Sequence, residues 1–159
     1  MNFINITPCK LAYSEPYKMY AKYQLQHVQN ALARVVTYQR PYTSALSSTA
    51  LLQNLHWLPI EWRVHFKLAT LACEALHTGQ PPYLSELLQQ YEPTRTLRSS
   101  TSFQLSLPRY NLEFGSRAFW ISAPKIWNLL PASIRNSPSL PTCCRHRKTH
   151  YFQSAYPNP

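Results

Sequence analysis

Cys143, Cys144, His146 and His150 are the residues whose types first invite a chemical reading, because thiolate and imidazole together form the ligand set of structural zinc. His146 and His150 stand one helical turn apart with suitable spacing. The thiol half fails, because adjacent cysteines only two residues before the first histidine lack the gap that lets a chain fold back around a metal. No metal or other cofactor is expected. A Cys/His nucleophilic pair is formally available, but the chain has no aspartate to orient an imidazole. Two isolated glycines, Gly79 and Gly115, build neither an oxyanion-hole turn nor a phosphate-cradling loop. Ser/His arrangements fail for the same reasons. His56, His65 and His77 fall in or beside expected helices, where a hydrogen-bonded structural histidine is the usual case.

Binding chemistry is better represented. Arg95, Arg98, Arg109, Arg117, Lys125 and Arg135 are interleaved with Phe103, Tyr110, Phe114, Phe119 and Trp120. Guanidinium groups grip phosphates, and aromatic faces stack on unpaired bases at about 1 to 3 kcal/mol each. For Phe119, Trp120 and Trp127 a core position outweighs stacking, so the basic groups are the expected contacts. The net charge of +10 comes from 16 Lys and Arg against six acids, all of them glutamate. Residues 95–159 hold nine bases and only Glu113 among acids. Such a surface attracts polyanions and releases their counterions, so RNA or single-stranded DNA is the expected partner and salt should weaken it.

The elements that must position these groups are short. Fourteen prolines against two glycines punctuate 159 residues, and 14% charged residues is low beside the roughly 25% of soluble domains. A missing partner or domain would explain that. Residues 1–19 read as an irregular lead-in containing Pro8 and Pro16. From Tyr20 to Thr37, Leu25, Val28, Leu32, Val35 and Val36 recur at helical spacing and predict an amphipathic helix that Pro41 closes. Ser44, Ser47 or Ser48 caps a second helix carrying Leu51, Leu52 and Leu55. Pro59 suits the first turn of a third, in which Trp62, Phe66, Ala69, Cys73 and Leu76 recur, with Gly79 as its C-cap. A short fourth helix over 83–90 offers Leu84, Leu87 and Leu88, completing a helical subdomain over 20–92.

Residues 93–159 form a basic, aromatic, Pro-broken segment packed back on that subdomain. Phe103, Leu105 and Leu107 alternate as a short strand or hairpin would, and Pro124 kinks or divides any helix over 116–130. A last helix over 139–153 has almost no apolar face. The fold class is mainly α, a small helical domain with that strand or hairpin near 103–107. No apolar run reaches the ~20 residues of a membrane span, and no secretory leader is evident. Cys9, Cys73, Cys143 and Cys144 make no disulfide framework, so reduced thiols in an intracellular protein are expected.

Several runs in a fixed order carry a resemblance: LQHVQNALARVV at 25–36, LQNLHWLPIEWRVHFKLATLACEALHTGQPPY at 52–83, RTLRSS at 95–100, GSRAF at 115–119, APKIWNLLPASIR at 123–135 and SPSL at 137–140. Together they resemble the region downstream of the catalytic palm in LINE-type reverse transcriptases of the jockey and chicken-repeat clades, over roughly Tyr23 to Phe152. Residues 1–20 depart from the family's approach to the first helix, as expected of a reading frame that begins inside a truncated element. The family's pattern near the end is Phe-Lys and later Leu, where this chain has Cys143-Cys144 and Arg147, so two core contacts of the last helix are expected to be lost.

Full-length members are RNA-directed DNA polymerases whose palm aspartates hold two magnesium ions. A chain without aspartate cannot supply them, and no enzyme is expected. The resemblance implies a non-catalytic fragment that helps hold RNA or single-stranded DNA, with the missing polymerase core as a second partner and no membrane. The alternative is a translated retroelement relic, or a protein-docking fragment with no activity of its own.

Overall fold

The computed structural model describes residues 15–39, 46–92, 103–109, 115 and 118–157, with the backbone alone for 15–18. It is mainly helical. The elements are α1 (Glu15–Val36), α2 (Ser48–Asn54), α3 (Ile60–Thr78), α4 (Pro82–Ser85), α5 (Phe119–Leu129), α6 (Ala132–Arg135) and α7 (Leu140–Ala155). The chain divides into two compact units, residues 1–61 and 62–159. The division falls inside α3, not at the change of composition near Pro93, because the first residues of that helix and its remainder serve different neighbours.

In the first unit, α1 begins at Glu15, so residues 15–19 of the expected lead-in are helical. Two polar residues of α1 fix the chain that follows α2. The Gln29 side-chain amide donates to the Leu58 carbonyl at 2.9 Å, and Gln26 Oε1 accepts from the Ile60 amide at 2.9 Å, satisfying one of the donors that a helix start leaves open. Ser47 caps α2, its hydroxyl accepting from the Ala50 amide at 3.1 Å, and Leu51 and Leu52 are buried beneath it.

Helices α1 and α2 end in the same manner. Tyr38 and His56 take left-handed φ values of 55° and 56°. The amides of Gln39 and Trp57 reach back to the carbonyls of Arg34 and Leu52, each at 2.9 Å. Glycine ordinarily occupies that position, and a chain with two glycines in all fills it with side chains that find it costly. The α1 face is a correction. Gln29 and Ala33 are buried, while Leu25, Val28, Leu32, Val35 and Val36 are all more than half exposed.

In the second unit, α3 and α7 run antiparallel, since their contacts step in opposite directions along the chain. Trp62 and Phe66 both meet the Tyr151 ring edge-on, with centroids 6.3 and 5.9 Å apart. Arg147 donates to the Ala69 carbonyl at 3.1 Å, and His77 Nε2 lies 3.4 Å from the Ser137 carbonyl. Ala69, Ala72, Cys73 and Ala75 are buried on α3. Gly79 ends α3 at φ +67°, its amide bonded to the Ala75 carbonyl at 3.0 Å, as its C-cap role requires.

The last helix corrects the expectation of lost contacts. Its inward face is Cys143, Arg147 and Tyr151, spaced four apart and all buried. Positions 143 and 147 are therefore core positions, filled by a thiol and a guanidinium.

Tyr151 carries a pH consequence. Burial pushes its phenol up to about 12, with nearby Arg147 acting the other way. The phenol of the unfolded chain ionises near 10. Stability should therefore be intact below pH 10 and decline between about 10 and 12, by about 3 kcal/mol at most. Tyr151→Phe should remove that decline, read as the urea midpoint against pH.

Two further expectations change in detail. The fourth helix shrinks to Pro82–Ser85, because Gln89 and Tyr91 turn to pair with the chain beyond. The Tyr91 amide donates to the Gln104 carbonyl at 2.9 Å, and the Ser106 amide donates to the Gln89 carbonyl at 2.8 Å. Together these make a single antiparallel bridge between Gln90 and Leu105 in place of a strand or hairpin within 103–107. Phe103 has φ +44°, which breaks the extended run, and only Leu105 of the alternating three is buried. Pro124 lies buried inside α5 and does not divide it. A proline there withdraws one backbone donor, while its ring is retained as apolar surface.

Candidate nucleic-acid interface

The expected contacts are dispersed. Arg95, Arg98 and Arg117 lie outside the described residues, as do Tyr110 and Phe114. Arg109 is exposed at the end of the 103–109 segment, and Lys125 is exposed on α5 opposite the buried Ile121, Ala123, Ile126 and Trp127. Arg135 is half-buried and serves its own backbone. Its Nε donates to the Leu130 carbonyl at 3.0 Å, closing the turn between α5 and α6. Burial lowers its pKa, and its Nη1 is buried with no hydrogen-bond partner among the described residues.

The structure adds cations that composition alone does not single out. Arg145 and Lys148 stand three apart on the outward face of α7 with His146 exposed beside them, and Arg63 and Lys67 stand four apart on the outward face of α3. Their signal lies partly in the basic run 145–148, which reads in the sequence as an eroded helix. No ion pair ties Arg63, Lys67, Arg109, Lys125, Arg145 or Lys148 among the described residues. Comparison with protein-family models, characterised proteins and solved structures gives no match. The site must therefore be judged on its own chemistry.

Rings able to stack are exposed in the same unit. Tyr83, Tyr91 and Phe103 are more than half exposed, and Trp120 is 38% exposed. Trp127 is core at 1%, as its apolar neighbours in the sequence favour, and Phe119 is half-buried.

The thiols of Cys73 and Cys143 are drawn together. Cys73 Sγ lies 3.7 Å from His77 Nδ1, and the same nitrogen lies 3.0 Å from the Cys73 carbonyl. A hydrogen bond with Cys143 and burial both push the Cys73 thiol well above its ordinary range, the reverse of what an attacking thiolate needs. That same hydrogen bond, together with the Arg147 guanidinium 3.9 Å away, lowers Cys143. Both sulfurs are fully buried. Among the described residues no three His, Cys, Asp or Glu side chains converge as metal ligands would, and no helix is long and apolar enough to cross a membrane.

Proposed function

We propose that this chain is a non-catalytic module of LINE-type reverse transcriptase descent that binds RNA or single-stranded DNA with little sequence preference. The observation that carries the reading is the outward placement of Arg63, Lys67, Arg109, Lys125, Arg145 and Lys148 on the second unit, without carboxylate partners among the described residues. Cations with no internal partner remain available to phosphates, and exposed Tyr83, Tyr91 and Trp120 add faces for unpaired bases. The resemblance over 23–152 supports the descent.

The test is tryptophan fluorescence of the purified chain titrated with single-stranded RNA at about 50 and about 200 mM salt. Six to ten phosphate contacts should lower the association constant about 10³ to 10⁵-fold across that range. Arg145→Glu with Lys148→Glu should weaken binding at low salt and flatten the salt slope, because two contacts become repulsions. Both side chains point away from the fold, so the circular dichroism should not change. Binding that ignores salt, or none at low salt, would remove the proposal.

The exposed apolar stripe of α1 favours a second reading, a docking fragment, and it bears on a different partner.

A further inference from the structure

Helix α1 packs against its own unit through its polar side and leaves its apolar side outward. Gln26 and Gln29 hold the chain at Leu58 and Ile60, Arg34 donates to the Ser48 hydroxyl at 3.0 Å, and Ala33 is buried. The outward residues are Leu25 at 56% exposed, Val28 at 56%, Leu32 at 52% and Val35 at 70%. Their separations are three, four and three, the alternation of a heptad seam, with Ala21 continuing it toward the N-terminus.

We infer that this seam pairs with α1 of a second copy of the chain, antiparallel, about a two-fold axis near Asn30. The spacing is itself two-fold symmetric about residue 30. Leu25 then faces Val35 of the second copy and Val28 faces its Leu32, so every layer joins a leucine to a valine. A parallel pair would place Leu on Leu and Val on Val, with the β-branched residue at the d position, an arrangement that does not favour two strands. The flanks are uncharged at Gln24, Gln29, Ala31 and Val36. Lys22 is already engaged with Glu61 at 3.3 Å. Charges at these flanks ordinarily select a different partner, and here none opposes a like helix. An isologous contact of this kind closes at two copies.

Sedimentation equilibrium of the full chain should give twice the 18.5 kDa protomer mass, with association undiminished between about 0.15 and 0.5 M salt. Leu25→Lys should weaken association on the order of 100-fold or more, because two layers lose their leucine. Val35→Glu should act in the same direction. The chain carrying both substitutions decides orientation. Antiparallel pairing brings the introduced lysine of each copy against the introduced glutamate of the other in both end layers and restores the dimer, whereas parallel pairing sets like charges together and does not. All these positions are solvent-exposed in the protomer, and circular dichroism verifies the fold of each variant. A monomeric parent chain, open-ended aggregates, a dimer insensitive to Leu25→Lys, or a double variant that stays monomeric would each overturn the inference.

Discussion

Trp127→Ala is expected to destabilise the second unit by about 3 to 5 kcal/mol, a large share of the ~5 to 15 kcal/mol that holds a domain folded. The indole is 1% exposed, and its N–H donates to the Phe103 carbonyl at 2.9 Å. One helical position on, Asn128 clasps Leu105 twice, accepting from its amide at 2.9 Å and donating to its carbonyl at 2.8 Å. Truncating the ring therefore opens a cavity beside α5 and releases a bond that, with those of Asn128 and the Tyr91 amide, holds the 103–105 segment. Trp127→Phe separates the two effects. It keeps most of the apolar body and gives up the N–H bond, and should cost about 1 kcal/mol. Urea unfolding followed by circular dichroism measures both. A Trp127→Ala value near ~1 kcal/mol would mean that α5 is not anchored through this ring.

What is legible in the sequence follows from what leaves a local mark. Helices α1, α2 and α3 are readable because apolar residues recur at three and four and because Ser47 and Gly79 sit where caps belong. Their burial is less legible. Periodicity shows that Leu25, Val28, Leu32 and Val35 share a face, but it does not say whether that face meets the chain's own core. Long-range hydrogen bonds from Gln26 and Gln29 decide that, and glutamine carries no local sign of them. The stops at Tyr38 and His56 are hidden for a related reason, since a left-handed residue is announced by glycine and here the chain uses tyrosine and histidine.

The second unit misleads in two places. Phe103, Leu105 and Leu107 alternate as a strand does, yet a bridge forms only where residues 89–91 come alongside, a tertiary event that alternation does not encode. Cys143 and Arg147 read as losses because a thiol is small and a guanidinium charged, but positions four and eight before Tyr151 share its buried face. The basic surface is legible as charge and not as place. Arg135 looks equivalent to Lys125 until its guanidinium is seen bonded to Leu130, while Arg145 and Lys148 gain a role once the face of α7 is fixed.

Arg147→Leu is expected to stabilise the protein, by about 1 to 3 kcal/mol, although it deletes several contacts. The guanidinium is 1% exposed and faces no carboxylate among the described residues. Its acceptors are the Ala69 carbonyl at 3.1 Å and two sulfurs, Cys143 at 3.9 Å and Cys144 at 3.5 Å, with the Phe66 ring 5.5 Å from its carbon centre. Its Nε is buried with no partner among the described residues. Sulfur is a weak acceptor and a ring face compensates a charge only partly, so taking this cation out of water costs more than these neighbours return. Leucine removes that cost and keeps apolar contact with Phe66. The Ala69 carbonyl is not orphaned by the change, because it lies inside α3 and accepts a helical bond. Alanine should instead destabilise, since it leaves a void without filling it. If leucine also destabilises, by more than about 1 kcal/mol, then the charge is compensated in the fold, and the group placed to do so is the Cys143 thiolate. A double-mutant cycle of Arg147→Leu with Cys143→Ala reads that coupling directly: near zero for an uncompensated cation, and about 1 kcal/mol or more for a buried thiolate and guanidinium held as a pair.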